Sequence, residues 1–489
     1  MKRWGRPVAL AGAMAWGALL HGAVVAAPAL TPCRLDGIEH EARCGTLERP
    51  LDPAAPQGAR ITLHYAVLPA LARNKQPDPV FFLAGGPGQS AIEMAGPVAG
   101  MLSRFLNRRD VVLIDQRGTG RSAPLLCDDD ADQAPLARQF EPDAQRRRLA
   151  ECRRLLQALP HGDLRQYTTA VAAGDVEAVR RALGVARINL VGVSYGTRLA
   201  LEVLRQSPRR VRRVVLDGVA PPDMVLPVAF ASDQQRAVEA VFSGCEQDAD
   251  CNRRHPDLRK RWATLRNSLP RDWPVAHPAT GVVERQRVTP EVLDAVLRGP
   301  LYLPALAAAL PQAMDQATRG RLEPLAGLAH AAGGRRGVGV AMGLHFSVVC
   351  AEDAPRLPPA APREDPLVRR YRDACADWPR GSVPPAFYQV GPSAAPVLLL
   401  SGGLDPATPP RHGDRMAAAL GAKARHVVVP QAGHGVAMLP CMRDVLYRFI
   451  DTPDEAAALA AVRADAGCAV QLPRPRPYQP PAPPAEPRR

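Results

Sequence analysis

The stretch INLVGVSYG, residues 188–196, joins an apolar run to the pattern Gly-x-Ser-x-Gly. A serine in this pattern lies on a tight turn between a strand and a helix, so that its hydroxyl projects beyond the edge of the sheet. Glycines stand on either side because a Cβ two residues before or after the serine would collide with the neighbouring strand and helix. Ser194 is therefore a candidate nucleophile. An ordinary turn is the alternative in a chain with 39 glycines, and the structural context distinguishes the two.

The sequence around this stretch alternates short apolar runs with amphipathic segments from residue 60 onwards. Strands are predicted at residues 61–68, 80–83, 111–114, 188–193, 214–216, 397–400 and 426–429. Helices are predicted near residues 137–158, 174–183, 195–206, 411–420 and 439–450. Nearly unbroken apolar strands imply burial on both faces, and their alternation with helices is typical of a parallel sheet. The predicted fold class is therefore α/β, with a mostly parallel, doubly wound sheet.

The alternation stops between about residues 221 and 390, where the sequence is mostly helical in character and rich in arginine and alanine. The strand pattern returns after this stretch, which favours an inserted cap over a separate, unrelated domain. The sheet domain is thereby divided into residues 28–220 and 391–470, with residues 221–390 as a helical cap. The proline-rich residues 471–489 are expected to form an extended, disordered tail.

Residues 1–27 combine a basic start with an uncharged, mostly apolar stretch that ends in Val-Val-Ala-Ala. This is the form of a secretory signal peptide, cleaved after Ala26 or Ala27. An uncleaved membrane anchor is the alternative, since about 20 apolar residues can span a bilayer. The small residues and the interior His21 favour cleavage, so no stable membrane insertion is expected of the mature chain.

Ten cysteines, all beyond this segment, agree with export to an oxidising compartment, periplasmic or extracellular. Nearest neighbours along the chain are the predicted disulfide partners, although spacing does not determine connectivity. The neighbouring pairs are Cys33 with Cys44, Cys127 with Cys152, Cys245 with Cys251, Cys350 with Cys375, and Cys441 with Cys468. A metal site is disfavoured because the sequence has no tight Cys-x-x-Cys or clustered Cys/His spacing. No metal or organic cofactor is expected.

The formal net charge of +14 comes almost wholly from arginine. Nucleic-acid binding would gather basic residues on one element or patch, whereas these arginines are scattered and residues 146–154 mix them with apolar residues. A solvated basic surface is favoured, and a nucleic-acid partner is not expected.

A serine nucleophile needs a histidine base and a carboxylate that orients it, in the chain order Ser, acid, His for a sheet of this kind. Asp405 lies just past the predicted strand that ends at residue 400, and His434 lies between glycines just past the strand that ends at residue 429. Asp217 also follows a strand and is the alternative acid. The remaining histidines considered are expected to have structural roles: His345, His412 and His426.

Acyl transfer also needs two N–H donors for the developing oxyanion. The N–H of Tyr195 is one candidate, and Gly85 or Gly86 in the glycine-rich loop AGGPGQS, residues 84–90, is the other. A phosphate-binding loop is the alternative for this segment, but no Gly-Lys-Ser/Thr ending follows.

Six ordered segments carry a family resemblance: LAGGPGQS, DQRGTGRS, GVSYGTRLA, LDGVAPP, SGGLDPATP and GHGV. Over about residues 35–470 the chain resembles the exported tripeptidyl and prolyl aminopeptidase branch of the α/β-hydrolases, serine peptidase family S33. The resemblance implies an α/β-hydrolase fold, a Ser194–Asp405–His434 triad and a cap formed by residues 221–390. The paired cysteines are also similar to those of that branch. Ala84 departs from the histidine common in the prolyl branch, which argues against strict proline specificity.

An aminopeptidase must also bind the free ammonium group of its substrate. Glu352, with Asp353 as second choice, is the candidate for this role because the string VVCAED resembles a segment of those proteins. A solvent-exposed acidic turn is the alternative. Asp115, Arg117 and Ser122 are expected to support the loop beneath the site.

The expected function is therefore removal of residues from the amino end of short peptides by an exported serine hydrolase. An esterase or amidase with the same triad, or a catalytically silent binding protein on the same scaffold, is the alternative.

Overall fold

A computed structural model describes residues 30–127, 141–333 and 339–478, together with Met1 and Leu136. Its main sheet has nine strands in the order β1-β2-β3-β5-β4-β6-β7-β10-β11. They are β1 Thr31–Cys33, β2 Ala42–Pro50, β3 Arg60–Leu68, β4 Val80–Leu83, β5 Val111–Ile114, β6 Ile188–Val193, β7 Val211–Asp217, β10 Val397–Gly402 and β11 Ala424–Val429. A separate hairpin pairs β8 Arg271–Ala276 with β9 Val283–Val288.

Six strands of the main sheet, from β5 to β11 in spatial order, run parallel to one another, while β1, β2 and β3 add an antiparallel edge. The parallel strands β4, β5, β6 and β10 consist almost wholly of buried apolar residues, as a sheet covered on both faces requires. Their carboxyl ends meet at one edge of the sheet. The predicted fold class, mostly parallel and doubly wound, is confirmed.

Helices cover both faces of this sheet and fill the region between β7 and β10. In chain order they are α1 Ala95–Met101, α2 Pro142–Gln157, α3 Thr169–Ala182, α4 Tyr195–Gln206, α5 Leu226–Gln247, α6 Ala249–Arg254, α7 Leu258–Asn267, α8 Pro290–Leu301, α9 Pro304–Ala307, α10 Leu310–Thr318, α11 Glu323–Gly333, α12 Met342–Glu352, α13 Pro366–Asp377, α14 Pro410–Leu420, α15 Pro440–Asp451 and α16 Glu455–Asp465. One apolar cluster joins the sheet to α1, α15 and α16, and a second joins the other face to α3, α4 and α14.

The segment between β7 and β10 is called the cap region below. It contains helices α5 to α13 and the β8–β9 hairpin. Part of it has an apolar cluster of its own, which includes Phe242, Trp262, Trp273 and Leu297. The hairpin was not predicted from the sequence, because its buried positions alternate with polar ones over only six residues per strand.

The carboxyl-terminal end of the described chain differs from the prediction made from the sequence. The predicted signal peptide lies outside the described residues except for Met1, and so do residues 479–489. Residues 472–478, predicted to be disordered, instead lie against the cap region. The Arg474 guanidinium donates to the Ala240 carbonyl at 2.9 Å, and the Tyr478 N–H donates to the Ala308 carbonyl at 2.8 Å. Proline-rich sequence lacks an apolar core of its own, but it can dock on one formed elsewhere.

Five disulfides join the predicted nearest neighbours: Cys33–Cys44, Cys127–Cys152, Cys245–Cys251, Cys350–Cys375 and Cys441–Cys468. The pair Cys350–Cys375 joins α12 to α13. Among the helices of the described ranges, none has the length and apolar character needed to cross a membrane.

Candidate active site

Ser194 occupies the turn between β6 and α4 with φ 56° and ψ −125°. Its N–H donates to the Asp217 carbonyl at 2.8 Å. A Cβ on Gly192 would lie 2.3 Å from the Gly196 carbonyl oxygen, and a Cβ on Gly196 would lie 2.1 Å from the Leu83 oxygen. Both glycines of the pattern are therefore required by contact with backbone. The turn has the geometry of a nucleophile elbow and not of an ordinary turn.

His434 and Asp405, each on a loop that follows a strand, form a hydrogen-bonded pair. The distance from His434 Nδ1 to Asp405 Oδ2 is 2.8 Å. Asp405 is buried and also accepts hydrogen bonds from the N–H groups of Ala407 and Thr408 and from the Thr408 hydroxyl. Because Asp405 engages Nδ1, Nε2 is the nitrogen that can act as a base.

The contact between His434 and Asp405 shifts the pKa of each residue. Burial disfavours the imidazolium, but the charge and hydrogen bond of Asp405 outweigh burial and hold the pKa of His434 above its usual value. Burial likewise opposes ionisation of Asp405, yet His434 and the donors at Thr408 and Ala407 bring the pKa of Asp405 below its usual value. Asp405 is therefore a carboxylate that stabilises a positive charge on His434.

Asp217 and Gly218 connect the serine turn to the histidine loop. The Asp217 carbonyl accepts from Ser194, while its carboxylate accepts the N–H groups of Val436 and Ala437 at 2.9 Å each. A Cβ on Gly218 would lie 3.1 Å from Cε1 of the His434 ring. The elbow and the imidazole therefore flank the same short segment of backbone.

Asp217 is a poor candidate for the orienting acid because its oxygens bind backbone N–H groups, whereas Asp405 contacts the imidazole directly. Burial raises the pKa of Asp217 to about 6. The other histidines have partners elsewhere: His412 contacts Asp233, His426 contacts Ser401 and Asp414, and His345 contacts Tyr371.

The glycine-rich loop after β4 lies against Ser194. A Cβ on Gly85 would lie 3.0 Å from the Ser194 Cβ, and the loop closes through a hydrogen bond from Gln89 N–H to the Gly85 carbonyl at 3.2 Å. Gly86 has φ +110°, a conformation that a side chain rarely adopts. The arrangement brings backbone close to the position of a reacting carbonyl, as a donor from Gly85 or Gly86 requires.

The loop is supported from beneath by Asp115, which is buried. Asp115 accepts hydrogen bonds from the Ser90 hydroxyl at 2.6 Å and from the Ile92 N–H at 3.1 Å. Arg117 forms an ion pair with Asp175, and the Ser122 hydroxyl accepts the His64 N–H. These residues act as structural supports and do not reach the reacting atoms.

Glu352 and Asp353 do not form an exposed amine site. Both are fully buried at the end of α12, and both are ion-paired with Arg198 of α4. Glu352 also accepts from the N–H and the hydroxyl of Thr169, at 2.6 Å and 2.9 Å. The sequence-based assignment to substrate binding is therefore wrong for the arrangement in this structure, because their oxygens are occupied internally. In sequence, two neighbouring acids beside a disulfide look the same whether they bind a substrate or an internal cation. The internal cation is Arg198, which lies 154 residues before Glu352 in the chain.

This buried cluster also contacts the residue that follows Ser194. The Thr169 hydroxyl lies 2.8 Å from the Tyr195 hydroxyl, and Tyr195 follows Ser194. Burial raises the pKa of Glu352 to about 7, although Arg198 and Thr169 oppose the shift. The cluster anchors the first turn of α4, which supplies the Tyr195 N–H.

Tyr302, at the end of α8, contacts His434 from the cap region and was not predicted from the sequence. Its ring meets the His434 ring edge-on, with centroids 5.0 Å apart. Its backbone carbonyl accepts a hydrogen bond from the backbone N–H of His434 at 3.2 Å. Gly433 packs so closely on it that a Cβ would lie 2.4 Å from the Tyr302 oxygen. The cap region is thus in direct contact with the histidine loop.

No group of three or more His, Cys, Asp or Glu side chains within the described ranges is arranged to hold a metal ion. A serine, a histidine and a carboxylate are the groups that nucleophilic acyl transfer uses.

Two family models match the chain. One, described as alpha/beta hydrolase fold, matches residues 78–276, and the other, described as TAP-like protein, matches residues 365–460. The chain has the α/β-hydrolase fold. The two matched regions of the chain contain the serine elbow and the Asp405–His434 pair, respectively.

The curated proteins to which this chain is similar include serine peptidases. Serine protease Hip1 of Mycobacterium tuberculosis is 30% identical over 45% of this chain and 45% of its own. Tripeptidyl aminopeptidase of Streptomyces lividans is 33% identical over 37% of this chain and 36% of its own. Carboxylesterase B of Mycobacterium tuberculosis is 28% identical over 43% and 42%. The matches therefore span less than half the length of these relatives.

Proposed function

We propose that this protein is a serine peptidase that releases residues or short peptides from the free amino end of peptides. The observation that carries the proposal is the hydrogen bond between His434 and Asp405, next to a serine held on a strained elbow. The similarity to a tripeptidyl aminopeptidase and to a serine protease supports a peptide as substrate.

In the proposed reaction, the Ser194 Oγ attacks the scissile carbonyl carbon while His434 Nε2 takes the hydroxyl proton. Asp405 stabilises the imidazolium that forms. The N–H groups of Tyr195 and of Gly85 or Gly86 receive the oxyanion of the tetrahedral intermediate.

The C–N bond then breaks, and His434 returns the proton to the leaving amine. Water, deprotonated by His434, hydrolyses the ester at Ser194 and regenerates the enzyme. The reaction needs no oxidant, reductant or metal.

Preference for short or unstructured ends is proposed to arise from the cap. Tyr302 and Gly433 are in contact beside His434, so the cap region limits the space around the imidazole. A folded chain cannot approach a site covered in this way, whereas a narrow chain end can.

Export to the periplasm or the extracellular space is part of the proposal. Five disulfides agree with an oxidising compartment, because thiols are kept reduced in most cytosols.

Labelling by a fluorophosphonate probe tests the nucleophile. The oxidised wild-type protein is expected to be labelled at Ser194, and Ser194→Ala should lose both labelling and hydrolysis by a factor of about 10⁴ or more. Ser207→Ala, a serine at the other end of α4, is the matched control and should be labelled like the wild type. Labelling that survives Ser194→Ala would refute the assignment.

An esterase or amidase with the same triad is the second candidate, favoured by the similarity to carboxylesterase B. The two functions differ in the requirement for a free amine. A peptide library in free and N-acetylated form, run beside short acyl esters, separates them. Preference for free peptides supports the aminopeptidase, and faster turnover of simple esters supports the esterase.

A further inference from the structure

Residues 216–220, with the sequence LDGVA, contact the serine turn at two points. The Ser194 N–H donates to the Asp217 carbonyl at 2.8 Å. The Thr197 hydroxyl donates to the Ser194 carbonyl at 2.6 Å and accepts from the Ala220 N–H at 2.8 Å. The backbone of Ser194 is therefore held by this segment through both its N–H and its carbonyl.

The carboxylate of Asp217 binds the loop that carries His434. Its two oxygens accept hydrogen bonds from the N–H groups of Val436 and Ala437, at 2.9 Å each. These N–H groups belong to the short helical turn Val436–Met438, which begins two residues after His434. The first N–H groups of a helical turn have no partner within the turn, so a carboxylate that accepts from them fixes where the turn begins.

Gly218, the next residue, lies against the Asp405 loop and the imidazole. Its N–H donates at 2.9 Å to the carbonyl of Leu400 in β10, the strand that precedes Asp405. Its φ is +66°, and a Cβ here would lie 3.0 Å from Thr408 Oγ1 and 3.1 Å from His434 Cε1. The Thr408 hydroxyl itself donates to Asp405. Two adjacent residues thus contact the serine turn, the Asp405 loop and the His434 loop.

Asp217 is fully buried and is ionised at neutral pH. Burial raises the pKa of Asp217 to about 6, although the N–H groups of Ala437 and Val436 and the charge of His434 favour the carboxylate. A carboxylate is tolerated in the interior only where donors satisfy it, and the donors here are the N–H groups of the histidine loop. Hydrogen bonds to an ionised acceptor are about twice as strong as neutral ones, so they hold this loop firmly.

From these contacts we propose that Asp217 is a positioning residue for the reaction: its carbonyl binds the Ser194 turn and its carboxylate binds the histidine loop, which fixes the distance between the Ser194 hydroxyl and the His434 imidazole. Gly218 contributes by leaving space for the imidazole beside the same segment. The inference rests on the proposed acyl-transfer function, and it applies equally to peptide and ester substrates. The role differs from that of the orienting acid, which belongs to Asp405.

Asp217→Asn tests the carboxylate. The amide keeps one acceptor oxygen but places an NH2 group where the second oxygen accepts, so one hydrogen bond to the histidine loop is lost at almost constant volume. Asp78→Asn is the matched control. Asp78 is also buried and accepts hydrogen bonds from Arg109 and Asn189, but it lies before β4, at the amino end of that strand and away from the site.

Gly218→Ala tests the space beside the imidazole and leaves the carboxylate in place. The added Cβ requires Thr408 or His434 to shift by a few tenths of an ångström. Gly184→Ala is the matched control, because Gly184 has a φ of +67° and the backbone strain is therefore the same. None of the described residues outside its chain neighbours has an atom within 4 Å of a Cβ at Gly184.

The rates are compared on the alkaline plateau of the pH profile, where His434 is neutral. We expect kcat to fall about tenfold or more in Asp217→Asn and about fivefold or more in Gly218→Ala, with KM nearly unchanged, because a displaced base slows proton transfer without weakening substrate binding. Both controls should keep kcat within about twofold of wild type even where they lose stability. Amide hydrogen exchange in residues 435–438 should be faster in Asp217→Asn than in wild type or Asp78→Asn.

Unchanged kcat in Asp217→Asn, or equal losses of kcat in a variant and its matched control, would overturn the proposal. If Asp217→Asn does not fold, Gly218→Ala and Gly184→Ala decide. A wild-type protein that hydrolyses esters but no peptide would contradict the aminopeptidase function and leave the ester rates to decide the role of Asp217. If the wild type hydrolyses neither, the rate of fluorophosphonate labelling decides: slower labelling in Asp217→Asn than in Asp78→Asn supports the role, and equal rates overturn it.

Discussion

Ser194 adopts a backbone conformation that a residue with a side chain seldom adopts, and two kinds of contact maintain it. Its φ of 56° is of the type that costs about 1–3 kcal/mol at a non-glycine residue. The hydrogen bond from its N–H to Asp217 and the absence of a Cβ at Gly192 and Gly196 hold the turn in place. Strain of this kind is typical of a nucleophile elbow, in which the turn projects the serine hydroxyl beyond the edge of the sheet.

The charge of Asp405 should be visible in the pH profile of the reaction. His434 must be neutral to accept the serine proton, and its pKa is raised by Asp405, so kcat/KM should fall as pH falls through a value above about 6.5. Asp405→Asn removes the negative charge but leaves His434 buried, and burial lowers the pKa of His434. We expect a rate reduced by about 10³-fold or more and an acid limb displaced to lower pH.

The measurement is kcat/KM between about pH 5 and pH 9 for both proteins. Asp233→Asn, which alters a buried carboxylate facing His412, is the control and should leave the acid limb in place. An acid limb that stays where it is in Asp405→Asn would contradict the role given to this carboxylate.

At the scale of elements, α4 and α12 are joined by a buried ion cluster. Arg198 of α4 faces Glu352 and Asp353 at the end of α12, and each of the three side chains is at most 1% exposed. Two carboxylates share one guanidinium, so ionisation of both leaves a net negative charge in the interior. That charge is costly without further donors, which Thr169 supplies to Glu352.

Glu352→Gln should change how stability depends on pH. The pKa of Glu352 is about 7 in the folded protein and about 4.5 when unfolded, so the native state binds a proton more tightly. The free energy that this tighter proton binding adds to stability is present below a pH of about 4.5, and it is lost as the pH rises through about 7. The wild type should therefore lose stability relative to Glu352→Gln between about pH 5 and pH 8, by at most about 3 kcal/mol.

Urea unfolding of both proteins across this range measures the difference. Glu323→Gln, at an exposed helix start, is the control and should show no such slope. A buried Glu352 should also leave the preference for free over N-acetylated peptides intact. Selective loss of that preference in Glu352→Gln would restore the amine-binding role predicted from the sequence.

At the scale of the whole molecule, the carboxyl-terminal segment bridges the sheet domain and the cap region. Cys468 is tied to Cys441 at the start of α15, and the chain then crosses to the Ala240 and Ala308 carbonyls. A cavity of about 130 Å³ remains beneath it, lined in part by Pro304, Leu404 and Arg474. Residues 472–478 thus close the side of the cap that lies next to the Asp405 loop.

Removal of this segment should loosen the cap region. A chain that ends at residue 471 loses the contacts of Arg474 and Tyr478, and we expect cleavage within residues 226–333 by a protease to become several-fold faster, about what the loss of 1 kcal/mol of local stability produces. A chain that ends at residue 478 keeps both contacts and is the control. Equal cleavage rates for the two truncated chains would show that the segment does not restrain the cap.

The local pattern of the sequence was sufficient for the fold class and the serine turn. Buried parallel strands are continuous apolar runs, and the elbow needs glycines at fixed offsets from Ser194, so both features are recorded in neighbouring residues. The positions of Asp405 and His434 were also predictable, because residues at the carboxyl ends of parallel strands meet at one edge.

The sequence by itself thus determined the six parallel strands of the main sheet and the residues that follow their carboxyl ends. Only the tertiary structure decided that Glu352 faces Arg198, that Tyr302 meets His434 and that residues 472–478 dock on the cap region. The physical reason is that these contacts join residues far apart in the chain. Whether a carboxylate meets solvent or a buried guanidinium depends on how distant helices pack, and no local periodicity records that choice.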